Sequence, residues 1–139
     1  IVAVGGGGLI GGIAAWLRNR ARVIAVEPEG CPTLYRALEA GAAVDVEVSG
    51  LAADSLGARR VGALALDVAQ RYVDSAVLVS DDDIRQAQRA LWDSARILAE
   101  PGGAAAMAAI CGNRYRPKPG ERVAVVVCGG NLDPVEFAA

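Results

Sequence analysis

Four consecutive glycines, Gly5-Gly6-Gly7-Gly8, separate an apolar run, Ile1–Val4, from a helix-forming stretch that starts at Leu9. Each glycine costs about 0.5–1 kcal/mol of backbone entropy relative to alanine. A turn that needed only a positive φ would be served by one or two. Four in a row offer successive N–H groups, free of Cβ obstruction, beside a helix N-terminus. That geometry binds a phosphate dianion. It does not name the ligand. Gly6-Gly7-Gly8-Leu9-Ile10-Gly11 also fits the G-x-G-x-x-G pattern of dinucleotide sites, and Glu27 then stands where a ribose-binding acid would be.

Cys128 is the second candidate. It follows the apolar run Val123–Val127 and precedes Gly129-Gly130. In open α/β sheets, ligands sit off the carboxyl ends of the strands, which is where this thiol falls. A thiol is a weak, neutral hydrogen-bond partner. The other reading is a small buried apolar side chain. The chain has no histidine, which excludes Ser-His-Asp and Cys-His catalysis within it. Cys31, Cys111 and Cys128 are odd in number and far apart, which argues against a disulfide framework and a zinc knuckle. They point to a reducing, cytoplasmic setting.

Elements must position these groups. The chain has 139 residues, 53% of them apolar, enough for one core. Strands are expected at Ile1–Val4, Arg22–Glu27, Ala76–Val79 and Val123–Val127, the last continuous in apolar residues and so buried on both faces. Helices are expected at Leu9–Asn19, Pro32–Ala40 with Gly41 as its cap, Arg59–Arg71, and from Ser80 to about Leu98. Ser80 is a suitable N-cap, and Asp81, Asp82 and Asp83 suit the positive end of that helix. Glu100-Pro101-Gly102-Gly103 is read as an interruption, followed by a small-residue helix over Ala104–Cys111. Val44–Val48 alternates and reads as a short edge strand, while Arg114–Glu121 is a polar loop. Strands alternating with helices imply an α/β fold: an open, mostly parallel twisted sheet with helices on both faces. Ile1–Val4 reads as a buried strand with no Met before it, so the sequence is expected to be cut from a longer one.

Five segments together resemble the fold-type II pyridoxal-phosphate enzymes, and within them the serine/threonine dehydratases. They are VGGGGLIGG at 4–12, VEPEG at 26–30, SLGARRVG at 55–62, EPGGAAAMAA at 100–109 and VVVCGGN at 125–131. The resemblance implies that residues 1–139 are the C-terminal part of the cofactor-binding domain. It implies that Gly5, Gly6, Gly7 and Gly8, with Leu9 completing the motif, grip the phosphate of pyridoxal 5'-phosphate. Cys128 would then bond the pyridine nitrogen and keep the ring closer to neutral than an aspartate would. Glu100 is either a helix cap or a neighbour of the ring, and Asn131 shapes the loop.

The resemblance also implies a cation beside the glycine loop, held by the Glu27 carboxylate, the Thr33 hydroxyl and the carbonyls of Gly5, Cys31, Leu56 and Ala58. Thr33 stands where members using a divalent ion carry a carboxylate, which favours K⁺. The Schiff-base lysine is expected upstream. Lys118, the sole lysine, lies in the turn Arg116-Pro117-Lys118-Pro119-Gly120. The implied activity is that of an L-serine or L-threonine ammonia-lyase, releasing a 2-oxo acid and ammonia by β-elimination. The fragment alone is expected to be inactive. Serine racemase, threonine synthase and a dinucleotide-binding module stay as alternatives. A small amino acid is the expected partner, and the full-length protein is expected to be a homodimer. The net charge of −2 and the scattered arginines offer nothing to nucleic acid or an anionic membrane. Val135–Ala139 leaves little room for an effector domain, so a non-allosteric form is expected.

Overall fold

Strand side chains alternate between the two faces of a sheet, and here both faces are apolar. The computed structural model describes residues 1–138. Strands β1 (Val2–Ala3), β2 (Ile24–Pro28) and β3 (Ser75–Val79) lie parallel in that order, with Val2 beside Ala25 and Val26 beside Val77. The helices are α1 (Gly8–Leu17), α2 (Thr33–Ala40), α3 (Ala53–Leu56), α4 (Ala63–Tyr72), α5 (Asp81–Ala95), α6 (Pro101–Cys111) and α7 (Pro134–Ala138). Val2, Val4 and Ala25 join one core with Ile10 and Ala14 of α1, Leu34 and Ala37 of α2, and Leu66 and Ala69 of α4. Ala3, Ile24, Val26 and Val79 join the other with Ile84, Ala87 and Leu91 of α5 and the alanines of α6. This is the expected parallel sheet with helices on both faces.

Local chemistry explains the helix ends. Gly41 closes α2 in the left-handed region, at φ 68°. Ser80 caps α5 in a reciprocal box: its hydroxyl accepts from the Asp83 N–H at 3.1 Å, and the Asp83 carboxylate accepts from the Ser80 N–H at 3.0 Å. α6 carries only small residues on its buried side, so it can lie close against the sheet. Its Gly102, Gly103, Ala104, Ala105, Ala106, Ala108 and Ala109 are all buried.

Five expectations need correction. Val44–Val48 is not a strand: among the described residues no strand runs beside it, and Val46 bonds through its N–H to the Arg59 carbonyl at 2.9 Å. The helix expected from Arg59 begins at Ala63, because residues 59–62 run past the glycine loop and the Gly62 N–H donates to the Gly6 carbonyl at 3.3 Å. α5 stops at Ala95, with Arg96 at φ 55°. Glu100-Pro101-Gly102-Gly103 does not interrupt: it starts α6, with proline in the first turn where its missing N–H costs nothing. Val123–Val127 is neither an assigned strand nor buried on both faces. Val123 and Ala124 are exposed and the next three valines half-buried. Its backbone bonds toward the sheet among the described residues are to Ile1, whose ammonium donates to the Ala124 carbonyl at 2.8 Å while the Val126 N–H donates to the Ile1 carbonyl at 3.0 Å, and its last three valines pack partly on the two cores.

Candidate functional site

β1 ends with the Val4 N–H donating to the Val26 carbonyl at 2.9 Å, and the glycine loop starts there. Two of the four glycines are required by space. A Cβ on Gly5 would stand 3.3 Å from the Leu56 Cα. Gly7 is buried at φ 89°, and a Cβ there would stand 2.7 Å from the Ala65 Cβ. Gly6 and Gly8 are different: the nearest atom to a Gly6 Cβ is 3.8 Å away, and nothing lies within 4 Å of a Gly8 Cβ. Their missing side chains leave an approach open from outside. Among the described residues the amides of Gly5 to Leu9 have no hydrogen-bond partner, the first bond being Gly11 N–H to the Gly7 carbonyl at 2.9 Å. A row of free amides at the positive end of α1 fits a phosphate dianion.

Glu27 lies at the carboxyl end of β2 and is fully buried. Its two carboxylate oxygens each accept a backbone N–H from the first turn of α2, Leu34 and Tyr35, both at 2.7 Å. Burial pushes this carboxyl up to about 7, against the downward pull of the Leu34, Tyr35 and Thr33 amides. The buried Thr33 hydroxyl donates to the Ala58 carbonyl at 2.5 Å. Leu56 of the same turn backs Gly5. Cys31 is buried, and its thiol donates to the Ser49 carbonyl at 3.3 Å. The structure therefore gathers Glu27, Thr33 and Ala58 at the α2 N-terminus, and Gly5 with Leu56 at the glycine loop. Among the described residues no three His, Cys, Asp or Glu side chains converge, so any cation there would rely on carbonyls.

Cys128 is exposed. The turn after it is held by the start of α6. The Glu100 N–H donates to the Gly129 carbonyl at 3.2 Å, and a Cβ on Gly103 would run into that carbonyl. A Cβ on Gly129 would run into the Glu100 carboxylate. Glu100 is the N-cap residue of α6, its carbonyl accepting from the Ala104 N–H at 3.0 Å, with no side-chain cap bond. Gly102 of the same helix packs on Ser55 and Leu56. Thus the N-terminus of α6 touches both turns, Leu56 backing Gly5 on one side and Gly129 following Cys128 on the other. Glu100 and Asn131 also line an open cleft of about 810 Å³ with Ser55, Gln88 and Arg89. Gly102 and Gly103 enter the sequence reading as an interruption and as part of the EPGGAAAMAA segment, without a packing role. The signal that marks them is a glycine pair directly after proline, which allows close backbone approach in a first helical turn. Lys118 sits in an exposed turn, its N–H donating to Glu121 at 2.8 Å, far in character from a buried site.

A family model described as "Pyridoxal-phosphate dependent enzyme" matches residues 1–129. The chain is 39% identical to the phenylserine dehydratase of Ralstonia pickettii over 141 residues, covering 99% of this chain and 43% of that one. It is 35% identical to an L-threonine ammonia-lyase of Thermotoga maritima, covering 96% and 33%. Among solved structures, the processed form of threonine deaminase isoform 2 from Solanum lycopersicum superposes with a TM-score of 0.87 at 30% identity, covering 99% of this chain and 41% of that one. The chain thus spans less than half the length of these relatives.

Proposed function

The chain belongs to the pyridoxal-phosphate dependent enzyme family, and on that premise we propose that it is the C-terminal part of the cofactor-binding domain of an L-serine or L-threonine ammonia-lyase. The observation that carries this is the row of unpaired amides from Gly5 to Leu9 at the head of α1. When bound, pyridoxal phosphate supplies an electron sink for β-elimination from a 2-amino-3-hydroxy acid. The amides of Gly5, Gly6, Gly7 and Gly8 hold its phosphate. The Cys128 thiol would hold the ring nitrogen and Glu100 would lie near the ring, with Asn131 shaping the loop. The lysine that carries the cofactor belongs to the part of the relatives' length not represented here.

Glu27, Thr33 and the carbonyls of Gly5, Cys31, Leu56 and Ala58 hold a monovalent cation that braces the loop. Each Glu27 oxygen spends one lone pair on an α2 amide and keeps another. Three free thiols are consistent with a reducing, cytoplasmic setting, and the whole enzyme is a homodimer in this reading.

Phosphorus NMR of pyridoxal phosphate titrated with the chain tests the assignment. The phosphate resonance is expected to shift and broaden, and Gly8→Asp, which puts a carboxylate at the phosphate, abolishes the effect. An unchanged resonance, with NAD raising the melting temperature instead, would return the loop to the dinucleotide reading. The cation is checked by comparing melting temperatures in KCl and tetramethylammonium chloride at equal ionic strength. Higher stability in KCl, absent in Glu27→Gln, is expected.

A further inference from the structure

Among the described residues three polar side chains are buried: Glu27, Thr33 and Gln88. The first two meet at the start of α2. Gln88 stands elsewhere, on the face of α5 that carries Ile84, Ala87 and Leu91 into the core, and it is 7% exposed. A buried amide is costly unless it is hydrogen-bonded, so a glutamine on an apolar face needs a partner. Its partner is a single backbone atom: the Gln88 Nε2 donates to the Ala99 carbonyl at 2.8 Å.

Ala99 is fully buried, and among the described residues its carbonyl accepts no backbone N–H. It lies between α5, which stops at Ala95, and α6, whose N-cap is Glu100. The residues on either side of it serve the turn after Cys128. The Glu100 N–H donates to the Gly129 carbonyl at 3.2 Å, and a Cβ on Gly130 would stand 3.2 Å from the Leu98 carbonyl. Among the described residues the bond from Glu100 is the one that ties residues 128–130 to another element. Residues 98–100 are thus a strip that backs the Cys128 turn and is itself held to α5 by Gln88.

We infer that Gln88 is a positioning residue of the cofactor site. By fixing the Ala99 carbonyl it sets the backbone from which Glu100 reaches Gly129, and so the place of the Cys128 thiol. A leucine at this position fills a similar volume and leaves the Ala99 carbonyl buried without a donor. Residues 98–100 then turn toward water in the open cleft that Gln88, Glu100 and Asn131 line together. The place of the thiol against the ring rests on the proposed function. The hold on the Cys128 turn rests on the geometry alone.

The experiment uses the enzyme that carries this chain, loaded with pyridoxal phosphate and, in parallel, stripped of it. Gln88→Leu is compared with Ile84→Val, which thins the same buried face of α5 without removing a hydrogen bond. Amide hydrogen exchange of peptides over 98–103 and 126–131 is followed by mass spectrometry in both forms. It should speed up about fivefold or more in Gln88→Leu and keep the wild-type rate in Ile84→Val. In the loaded enzyme the fluorescence emission of the bound ring should shift in Gln88→Leu, while its phosphorus resonance stays in place because the glycine loop is untouched. With L-serine or L-threonine, kcat should fall about fivefold and KM change by less than about twofold. Gln88→Glu should behave like Gln88→Leu at about pH 8.5 and return toward wild type near about pH 6, where a protonated acid donates to Ala99.

Unchanged exchange in Gln88→Leu overturns the proposal, and so does the same acceleration in Ile84→Val. Faster exchange with unaltered emission and kcat also overturns it, by making Gln88 a core residue only. If Gln88→Leu does not fold, the pH response of Gln88→Glu decides, and a flat response sinks the proposal. A wild-type enzyme that holds no pyridoxal phosphate removes the proposed function, and exchange in the stripped form then scores the hold of Gln88 on the Cys128 turn by itself.

Discussion

Val2–Gly8 and Val125–Gly130 are built alike, each a valine-rich run that ends in glycines, yet they finish in opposite environments. Val4 is 1% exposed, β1 has β2 on one side, and Val2 and Val4 share a core with α1, α2 and α4. Cys128 is exposed, and the valine run before it is half-buried and hydrogen-bonds toward the sheet only through Ile1 among the described residues. The difference lies in neighbours and not in composition. Burial of a strand is decided by what pairs with both its edges, and those partners are remote in sequence. The glycines diverge for the same reason. Gly7 is wedged against α4, while Gly129 rests on the start of α6 with the outer side of its turn open.

The sharpest break in this comparison should come from Gly7→Ala. Its φ of 89° is unfavourable for any side chain, and the new methyl would meet the Ala65 methyl at 2.7 Å. Left-handed strain and overpacking together predict a loss of about 2–4 kcal/mol in urea unfolding. Gly8→Ala, one position on, has no atom within 4 Å and begins a helix, so its stability should match or slightly exceed wild type. Equal effects of the two substitutions would mean that the loop is not packed as described.

Next in size are truncations of the two valine runs. Val4→Ala removes two buried carbons from a filled core and should cost about 2 kcal/mol. Val127→Ala, half-buried at an open edge, should cost under about 1 kcal/mol in the 139-residue chain. Denaturant midpoints at constant slope measure both.

What could be read in advance follows the range of each interaction. The Ser80 cap and the Gly41 terminus depend on residues a few positions apart, and both were legible. So were β2, β3 and the placing of helices on both faces. The glycine run was legible as an anion cradle because the cost of four glycines demands an explanation. Glu27 was legible as a polar residue at a strand end. Its capture by the first-turn amides of α2 was not, since that depends on how α2 returns over the sheet. The start of α6 was misread because a glycine pair normally signals a break. Here the pair is needed so that the helix can lie against Leu56 and Gly129. The exposure of Val123–Val127 could not be read at all, because no residue within it records whether a second strand lies alongside.

The pH dependence of folding tests the buried member of the comparison, the carboxyl end of β2. Burial raises Glu27 to about 7. Between its ordinary 4.5 and 7 the folded chain holds a proton that the unfolded chain has lost. Stability from this group is therefore complete below 4.5 and is lost as pH rises through 7. Urea midpoints should fall across that window for the wild type and stay flatter in Glu27→Gln, which has no proton to lose. Parallel curves would mean that Glu27 is solvated and that the first turn of α2 does not close over the end of β2 in solution.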